Sequence, residues 1–230
     1  MNLSQSDLEY LANQKIELNH ILSFGRKSKS QLSQDVFVLS ETGFKRGGYF
    51  VEFGGTDGVQ FSNTHLLEKE FGWNGIVAEP ATSWYIALPK NRSCHIDFGC
   101  VWSKTGERLE FNNVLDAELS TINSFSNCDE HSKARETGLK YDVTTISLLD
   151  LLKKYDAPKE IDYLSIDTEG SEYEILSAFD FDAYKIKIIT CEHNYTPMRE
   201  KIFELLSSKG YVRKYPYLSL LDDWYVHVDA

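Results

Sequence analysis

Two groups of polar residues follow strongly apolar segments and carry side chains able to move a proton. Asp167 and Glu169 come directly after segment 161–166, and Glu192, His193 and Asn194 come directly after segment 185–191. A hydroxyl that attacks an electrophilic carbon must lose its proton to a base. Histidine has the ordinary pKa closest to that task, and either Asp167 or Glu169 is the alternative base. Carboxylate oxygens from both groups are also candidate ligands for a divalent cation that lowers the pKa of such a hydroxyl. A hydrogen-bonded core histidine and a helix-capping aspartate are the competing structural interpretations.

A glycine-rich turn at residues 52–58 reads Glu-Phe-Gly-Gly-Thr-Asp-Gly. Gly54 and Gly58 let the backbone approach a ligand closely and adopt positive φ. The spacing differs from the GxGxxG of a dinucleotide turn, and the carboxylate of Glu52 disfavours a pyrophosphate. That carboxylate suits a ligand with an ammonium group and a sulfonium, which predicts S-adenosylmethionine; the alternative is a tight turn in which Glu52 pairs with a lysine. The predicted contacts here are Glu52, Gly54, Gly55, Thr56, Asp57 and Gly58.

Two further segment ends complete the predicted cofactor site. Glu79 follows the apolar segment 75–78, where a carboxylate can accept hydrogen bonds from both hydroxyls of a ribose. Residues 100–103 offer an apolar wall for an adenine ring. The remaining predicted cofactor contacts are Asn63, Pro80, Val101 and Asp167. Both polar groups, after segments 161–166 and 185–191, should face the transferred methyl.

Strands and helices must alternate to place these residues at one edge of a sheet. Apolar, β-branched runs predict strands at 49–53, 75–78, 93–102, 161–166 and 185–191. Helical periodicity predicts helices at 6–22, 34–42, 62–71, 83–88, 171–179 and 197–207, with another that begins at the N-cap Thr145. The last two strands, 211–215 and 224–228, have no helix between them, so we expect an antiparallel hairpin.

This order of elements predicts an α/β fold of the Rossmann-like class I methyltransferase type. Its sheet has seven mostly parallel strands, a C-terminal antiparallel hairpin and an N-terminal helical extension. We expect one domain over 1–230, with the extension at 1–32 and the core at 33–230. Segment 116–138 is polar and weakly periodic, and we interpret it as a substrate lid or specificity insert.

The charge and residue composition disfavour several classes of binding partner. A formal net charge of −11 without an extended basic patch disfavours nucleic acid, and no apolar run approaches the length of a membrane span. The four cysteines have no zinc-site spacing, so we expect reduced thiols, and without a signal-like N-terminus we expect a cytoplasmic protein. The oligomeric state is not indicated.

Three blocks of the sequence resemble the FkbM-type S-adenosylmethionine-dependent methyltransferases: GYFVEFGGTDG at 48–58, GWNGIVAEP at 72–80 and IDYLSIDTEGSE at 161–172. Gly55 and Thr56 stand where that family usually has alanine and asparagine or a similar small polar residue. The resemblance implies methyl transfer to an oxygen of a small-molecule or carbohydrate acceptor. Two alternatives remain open: an NAD(P)-dependent oxidoreductase acting on a sugar nucleotide, and a catalytically silent S-adenosylmethionine-binding interaction protein.

Overall fold

The structure is a computed structural model that describes residues 23–230. The helix predicted over 6–22 lies outside the described residues, and the division into an extension and a core stays a prediction. The helices are α1 (Gln34–Glu41), α2 (His65–Phe71), α3 (Leu88–Asn91), α4 (Leu148–Lys154), α5 (Glu172–Ser177) and α6 (Met198–Ser208). The strands are β1 (Tyr49–Phe53), β2 (Asn74–Ala78), β3 (His95–Asp97), β4 (Cys100–Trp102), β5 (Arg108–Asn113), β6 (Thr121–Ile122), β7 (Leu139–Ser147), β8 (Glu160–Ile166), β9 (Lys185–Glu192), β10 (Tyr211–Lys214) and β11 (Asp222–His227).

The main sheet has seven strands in the order β10-β11-β9-β8-β1-β2-β3. Strands β3, β2, β1, β8 and β9 run parallel, whereas β11 is antiparallel to β9 and pairs with β10 as a hairpin. This is the predicted class I methyltransferase arrangement, and it is confirmed. The chain leaves β1 toward β2 on one side and returns to β8 on the other, so the carboxyl ends of β1 and β8 form the switch point where such folds bind ligands.

Alternation along the central strands supplies a core on both faces of the sheet. Val51 and Leu164 pack into one buried apolar cluster, and their neighbours Phe50 and Tyr163 pack into the other. Helices cover both faces, which is why these strands are apolar at nearly every position. The two clusters hold the sheet edge rigidly beneath the strand-end residues.

A second sheet of four strands, in the order β4-β7-β5-β6, lies beside the main one. The strand predicted over 93–102 is therefore wrong as a single element, because β3 joins the main sheet and β4 joins the second sheet through β7. Segment 116–138 contains β6 and three short 3-10 helices, and elements this short account for its weak periodicity.

The prediction that a helix begins at Thr145 is wrong. Thr145 pairs with Cys100 inside β7, and its hydroxyl donates to the carbonyl of Lys104 at 2.6 Å. The helix begins at Leu148, where the hydroxyl of Ser147 accepts the backbone N–H of Asp150 at 3.2 Å as an N-cap. The β-branched run 143–146 favours extended backbone over helix, so the cap moves two residues along the chain.

All four cysteines are free thiols, as predicted. Among residues 23–230, no helix has both the length and the apolar composition needed to cross a bilayer.

Candidate active site

A cavity of about 300 Å³ opens at the carboxyl ends of the central strands. This volume is at the lower end of the range for ligand pockets. The predicted site residues that line it are Gly54, Thr56, Glu79, Pro80, Val101, Asp167 and Glu169. The predicted residues that do not line it are Glu52, Gly55, Asp57, Gly58, Asn63 and His193.

The glycine turn is shaped by its neighbouring strands. Gly54 has φ of 75°, and a Cβ atom there would lie 2.0 Å from the backbone oxygen of Asp167. A Cβ at Gly55 would lie 2.3 Å from a methyl carbon of Val77. Glycine therefore lets the end of β1 approach β8 and β2, and this close approach brings the turn to the edge of the cavity.

The carboxylate of Glu52 is occupied by protein groups. It accepts hydrogen bonds from the Ser62 hydroxyl at 3.0 Å, the Asn63 backbone N–H at 2.5 Å and the Thr64 hydroxyl at 2.5 Å. The guanidinium of Arg92 lies 3.3 Å away. These contacts explain why α2 begins at His65 and not at Ser62 as predicted, because residues 62–64 turn toward Glu52. The ligand-binding role of Glu52 stays a prediction, and its contacts favour a role in holding the turn.

Arg92 is the cation of this network. Its Nε donates to Glu68 at 2.6 Å and its terminal nitrogens donate to the hydroxyls of Ser62 and Thr64 at 3.0 and 2.8 Å. It also donates to the carbonyl of Gly58 at 3.4 Å, so it joins the two ends of the glycine turn. Burial disfavours a charged guanidinium, and the carboxylates of Glu52 and Glu68 offset that cost and raise the pKa of Arg92.

Glu79 points into the cavity from the end of β2. One carboxylate oxygen accepts the backbone N–H of Thr56 at 3.0 Å, and the other accepts that of Ala81 at 2.8 Å. Burial raises the pKa of this carboxyl to about 7, although both backbone donors lower it. Each oxygen keeps a lone pair for a further donor, so the pair of atoms can receive two ligand hydroxyls.

Apolar side chains form one wall of the cavity beyond Glu79. Val101, predicted to flank an adenine ring, lies there with Phe111 and Ile122 of the second sheet. Asn63 is placed elsewhere: it is buried and its side-chain amide donates to the hydroxyl of Ser165 at 3.0 Å. The wall therefore comes from β4, β5 and β6, of which only β4 was expected to contribute.

Three carboxyl groups meet at the opposite end of the cavity. Ligand oxygens of Asp167, Glu169 and Glu192 all lie within 4.8 Å of one another. Burial raises the pKa of each carboxyl, and the negative charge of its neighbours raises the pKa of Asp167 and of Glu192 further. This end of the cavity can accept a proton or hold a cation.

The insert 116–138 is attached to this cluster by Arg135, whose side chain is fully buried. Its guanidinium donates to Glu169 at 2.7 Å, to both oxygens of Asp129 at 2.8 and 2.9 Å, and to the carbonyl of Leu119 at 2.7 Å. The hydroxyl of Thr121 donates to the backbone oxygen of Glu169 at 2.8 Å. The insert is therefore bound directly to the polar strand end.

His193 is buried beside the cavity but does not line it. Its Nδ1 accepts the backbone N–H of Tyr195 at 3.0 Å, and its Nε2 lies 3.8 Å from Asp223. Burial lowers the pKa of its imidazole to about 4, so the ring is neutral at pH 7. The role of His193 as a base stays a prediction, and its placement favours the carboxylates.

Sequence reasoning did not single out Arg92 or Arg135 as site residues. Glu192 ends β9 and Asn194 follows it, and their position at a strand end predicted that they face the acceptor side. Arg92 and Arg135 lie in short irregular segments with no periodicity, and their partners are distant in sequence. No local pattern predicts those two contacts.

Comparison with known proteins gives one family match. The model of the methyltransferase FkbM domain matches residues 52–213. No curated protein sequence matches the chain.

Similar solved structures are distant in sequence. A precorrin-6y C5,15-methyltransferase from Geobacter metallireducens is 11% identical, with 78% of this chain and 71% of that chain covered and a TM-score of 0.44. The METTL16 MTase domain is 12% identical, with 85% and 66% covered and a TM-score of 0.44. A human methyltransferase 10 domain containing protein is 12% identical, with 85% and 80% covered and a TM-score of 0.41.

The family match contains the glycine turn, Glu79 and all three clustered carboxylates, and it spans most of the chain. The chain belongs to the FkbM methyltransferase domain family, whose methyl donor is S-adenosylmethionine.

Proposed function

We propose that this enzyme transfers a methyl group from S-adenosylmethionine to a hydroxyl of a small-molecule or glycan acceptor. One observation carries the proposal: a single cavity joins the carboxylate of Glu79 at one end to those of Asp167, Glu169 and Glu192 at the other. The first end suits a ribose and the second suits an acceptor that must lose a proton.

The residues at the first end fit the cofactor. Glu79 keeps two free lone pairs for the ribose hydroxyls, because backbone donors hold its carboxylate toward the cavity. Val101, Phe111 and Ile122 offer an apolar wall for the adenine. Gly54 brings backbone to the cavity edge beside Asp167, where the amino-acid part would bind. The cofactor supplies an electrophilic methyl group on a sulfonium.

The residues at the second end fit an oxygen acceptor. A carboxyl with a raised pKa is a better base near neutral pH than an ordinary one, so Asp167 or Glu169 can take the proton of an attacking hydroxyl. The same cluster contains the carboxylate oxygens that the sequence offers as candidate ligands for a divalent cation. Methyl transfer needs little further chemistry, since aligning the acceptor oxygen with the methyl group and excluding water supplies much of the acceleration.

The insert favours a polar acceptor. Side chains that it contributes to the cavity include Asp116, Glu118, Ser120, Glu130 and His131. Carboxylates, a hydroxyl and an imidazole recognise an acceptor rich in hydroxyl groups through hydrogen bonds. This composition supports a carbohydrate acceptor over an apolar one.

Cofactor binding can be tested without the acceptor. S-adenosylhomocysteine at about 100 times its Kd should stabilise the protein by about 2.7 kcal/mol, measured as a rise in Tm. NADH, the cofactor of the oxidoreductase alternative, should give no rise. Stabilisation by NADH and none by S-adenosylhomocysteine would overturn the proposal.

Turnover can be tested with labelled S-adenosylmethionine against a panel of glycans and hydroxylated metabolites. Asp167→Asn should reduce transfer by far more than it weakens S-adenosylhomocysteine binding, because the cofactor keeps its contacts with Glu79 and the apolar wall. His193→Ala distinguishes the histidine from the two carboxylates as the base, since loss of turnover with intact cofactor binding would return the base role to His193. Cofactor binding without transfer to any hydroxyl would favour the silent interaction protein.

A further inference from the structure

We propose that Asp167, Glu192 and the side-chain oxygen of Asn194 bind a divalent cation of the Mg²⁺ or Mn²⁺ class. The site deepens the proposed function, on which it rests for its role, because it lies at the acceptor end of the same cavity. Cation binding itself requires neither the acceptor nor the methyl donor, so it can be measured separately.

The first observation is the spacing of the oxygen atoms. One ligand oxygen each from Asp167, Glu169 and Glu192 lies within 4.8 Å of the others. Two oxygens that share a cation at about 2.0–2.6 Å are at most about 4–5 Å apart. The carboxylates therefore come within the separation that one ion requires, without a change in the backbone.

The second observation is the absence of donors at two of these carboxylates. The side chain of Glu192 lines the cavity and the residue is only 8% exposed. Among residues 23–230, no N–H group and no hydroxyl donates to the side-chain carboxylate of Asp167 or of Glu192, and no lysine, arginine or histidine forms an ion pair with either carboxylate. Their close polar contact is with each other. Glu192 is buried and Asp167 is half-buried, so placing two carboxylates together without donors is costly, and a bound cation or a shared proton would offset that cost.

The third observation concerns Asn194, which also lines the cavity. Its Nδ2 donates to Glu169 at 3.3 Å, and its Oδ1 is buried without a hydrogen-bond partner among the described residues. The contact with a carboxylate fixes the orientation of the amide, because a rotated amide would place oxygen against oxygen. Oδ1 is thus a neutral oxygen, of the kind that hard cations bind, on an amide that contacts the carboxylate cluster through Glu169.

Glu169 has a different role. Its Oε2 already accepts from Arg135 at 2.7 Å, and the same guanidinium is shared with Asp129. A carboxylate bound to arginine is a weaker ligand than one without a counter-charge. We infer that Glu169 orients Asn194, while Asp167 and Glu192 carry the charge that binds the ion.

A cation here would act on the acceptor. A bound divalent ion polarises a hydroxyl oxygen and lowers its pKa, so a carboxylate could take the proton at neutral pH. The ion would also fix the acceptor oxygen at the end of the cavity opposite Glu79.

The test is a titration of the full chain with Mn²⁺. Binding is monitored by the electron paramagnetic resonance signal of free Mn²⁺ and, separately, by calorimetry. We expect one Mn²⁺ per chain, displaced by excess Mg²⁺. Glu192→Gln and Asp167→Asn should each weaken binding at least tenfold. Glu130→Gln, which removes a cavity carboxylate outside the cluster, should leave the affinity unchanged.

Asn194→Ala provides an independent variant that removes no charge, and we expect a smaller loss of Mn²⁺ affinity. Each variant is checked by S-adenosylhomocysteine binding, which reports that the fold and the cofactor end are intact. No Mn²⁺ binding by the native chain, with or without S-adenosylhomocysteine, would overturn the proposal and indicate a shared proton. Equal Mn²⁺ affinity in the native chain and in Glu192→Gln would also overturn it. Either result with intact S-adenosylhomocysteine binding leaves the proposed methyl transfer standing.

Discussion

The guanidinium of Arg92 lies 3.3 Å from the carboxylate of Glu52, and their side chains are 0% and 2% exposed. This ion pair lies beneath the glycine turn and is not part of the cavity lining. It gives the turn a rigid support made entirely of protein groups.

Removal of Arg92 should therefore destabilise the fold. In Arg92→Met the carboxylates of Glu52 and Glu68 lose their shared cation, and we expect a loss of about 3–5 kcal/mol in the free energy of unfolding by urea. Glu52→Gln should cost less, because Arg92 keeps Glu68 at 2.6 Å. A loss below about 1 kcal/mol in Arg92→Met, as for an exposed ion pair, would contradict a supporting role.

Gly54→Ala should separate β1 from β8 at the cavity. The added Cβ would lie 2.0 Å from the Asp167 backbone oxygen, so strands must move, at a cost of about 1–3 kcal/mol beyond the strain of positive φ. Gly106→Ala is the matched control, since Gly106 has φ of 84° and open space around it. The difference between the stability losses of the two variants, measured by thermal unfolding, gives the cost of the steric contact at Gly54. Equal losses would show that the positive φ alone destabilises the variants.

Binding of S-adenosylhomocysteine should weaken as the pH falls from 8 to 6. The pKa of Glu79 is about 7 without ligand, and ribose hydroxyls would stabilise its charged form and lower that pKa in the complex. Below pH 7 binding must release a proton, so affinity decreases with decreasing pH. Calorimetry at pH 6, 7 and 8 measures this slope.

Glu79→Gln should remove the slope and weaken binding at pH 8 by about 1.5–3 kcal/mol, the value of hydrogen bonds to a charged group. A slope that persists in this variant would assign the titration to another group. The raised pKa of Glu79 also makes its contribution to the stability of the unliganded protein decrease as the pH rises from 4.5 to 7, because the unfolded chain releases its proton first.

Arg135→Gln should loosen the insert while leaving the main sheet folded. Asp129 and Glu169 lose a fully buried partner, so we expect faster proteolysis within 116–138 and a stability loss of about 3–5 kcal/mol. Arg108→Gln is the control, because its ion pair with Asp142 is exposed and should contribute at most about 1 kcal/mol. Equal protease sensitivity in the two variants would mean that Arg135 does not hold the insert.

The strands and the position of most site residues were predictable from the sequence. Apolar runs identify β1, β2, β8 and β9, and parallel pairing brings their carboxyl ends to one edge. Glu79 and Asp167 therefore had to lie at the same cavity. The hairpin followed from the missing helix between the last two strands.

The partners of the buried charges were not predictable. Glu52 shares its sheet face with Phe50, and alternation alone places it in the core beneath the turn. Its cation is 40 residues away in an irregular segment, and only tertiary packing brings Arg92 there. The helix cap at Ser147 was missed for a related reason, because pairing of Thr145 with β4 extends β7 beyond the point where helical periodicity begins.

The small sheet has a consequence for how this enzyme can diversify. Segment 116–138 reaches the cavity from β5 and β6, whose backbone pairing lies entirely within that sheet, whereas Gly54 and Glu79 belong to the ends of the main strands. Of the contacts proposed for the methyl donor, Ile122 is the one that lies within this segment. Replacement of residues 116–138, provided that it keeps an apolar side chain for the adenine wall and an arginine for Glu169, would give a chimera with new acceptor selectivity and an inherited methyl donor.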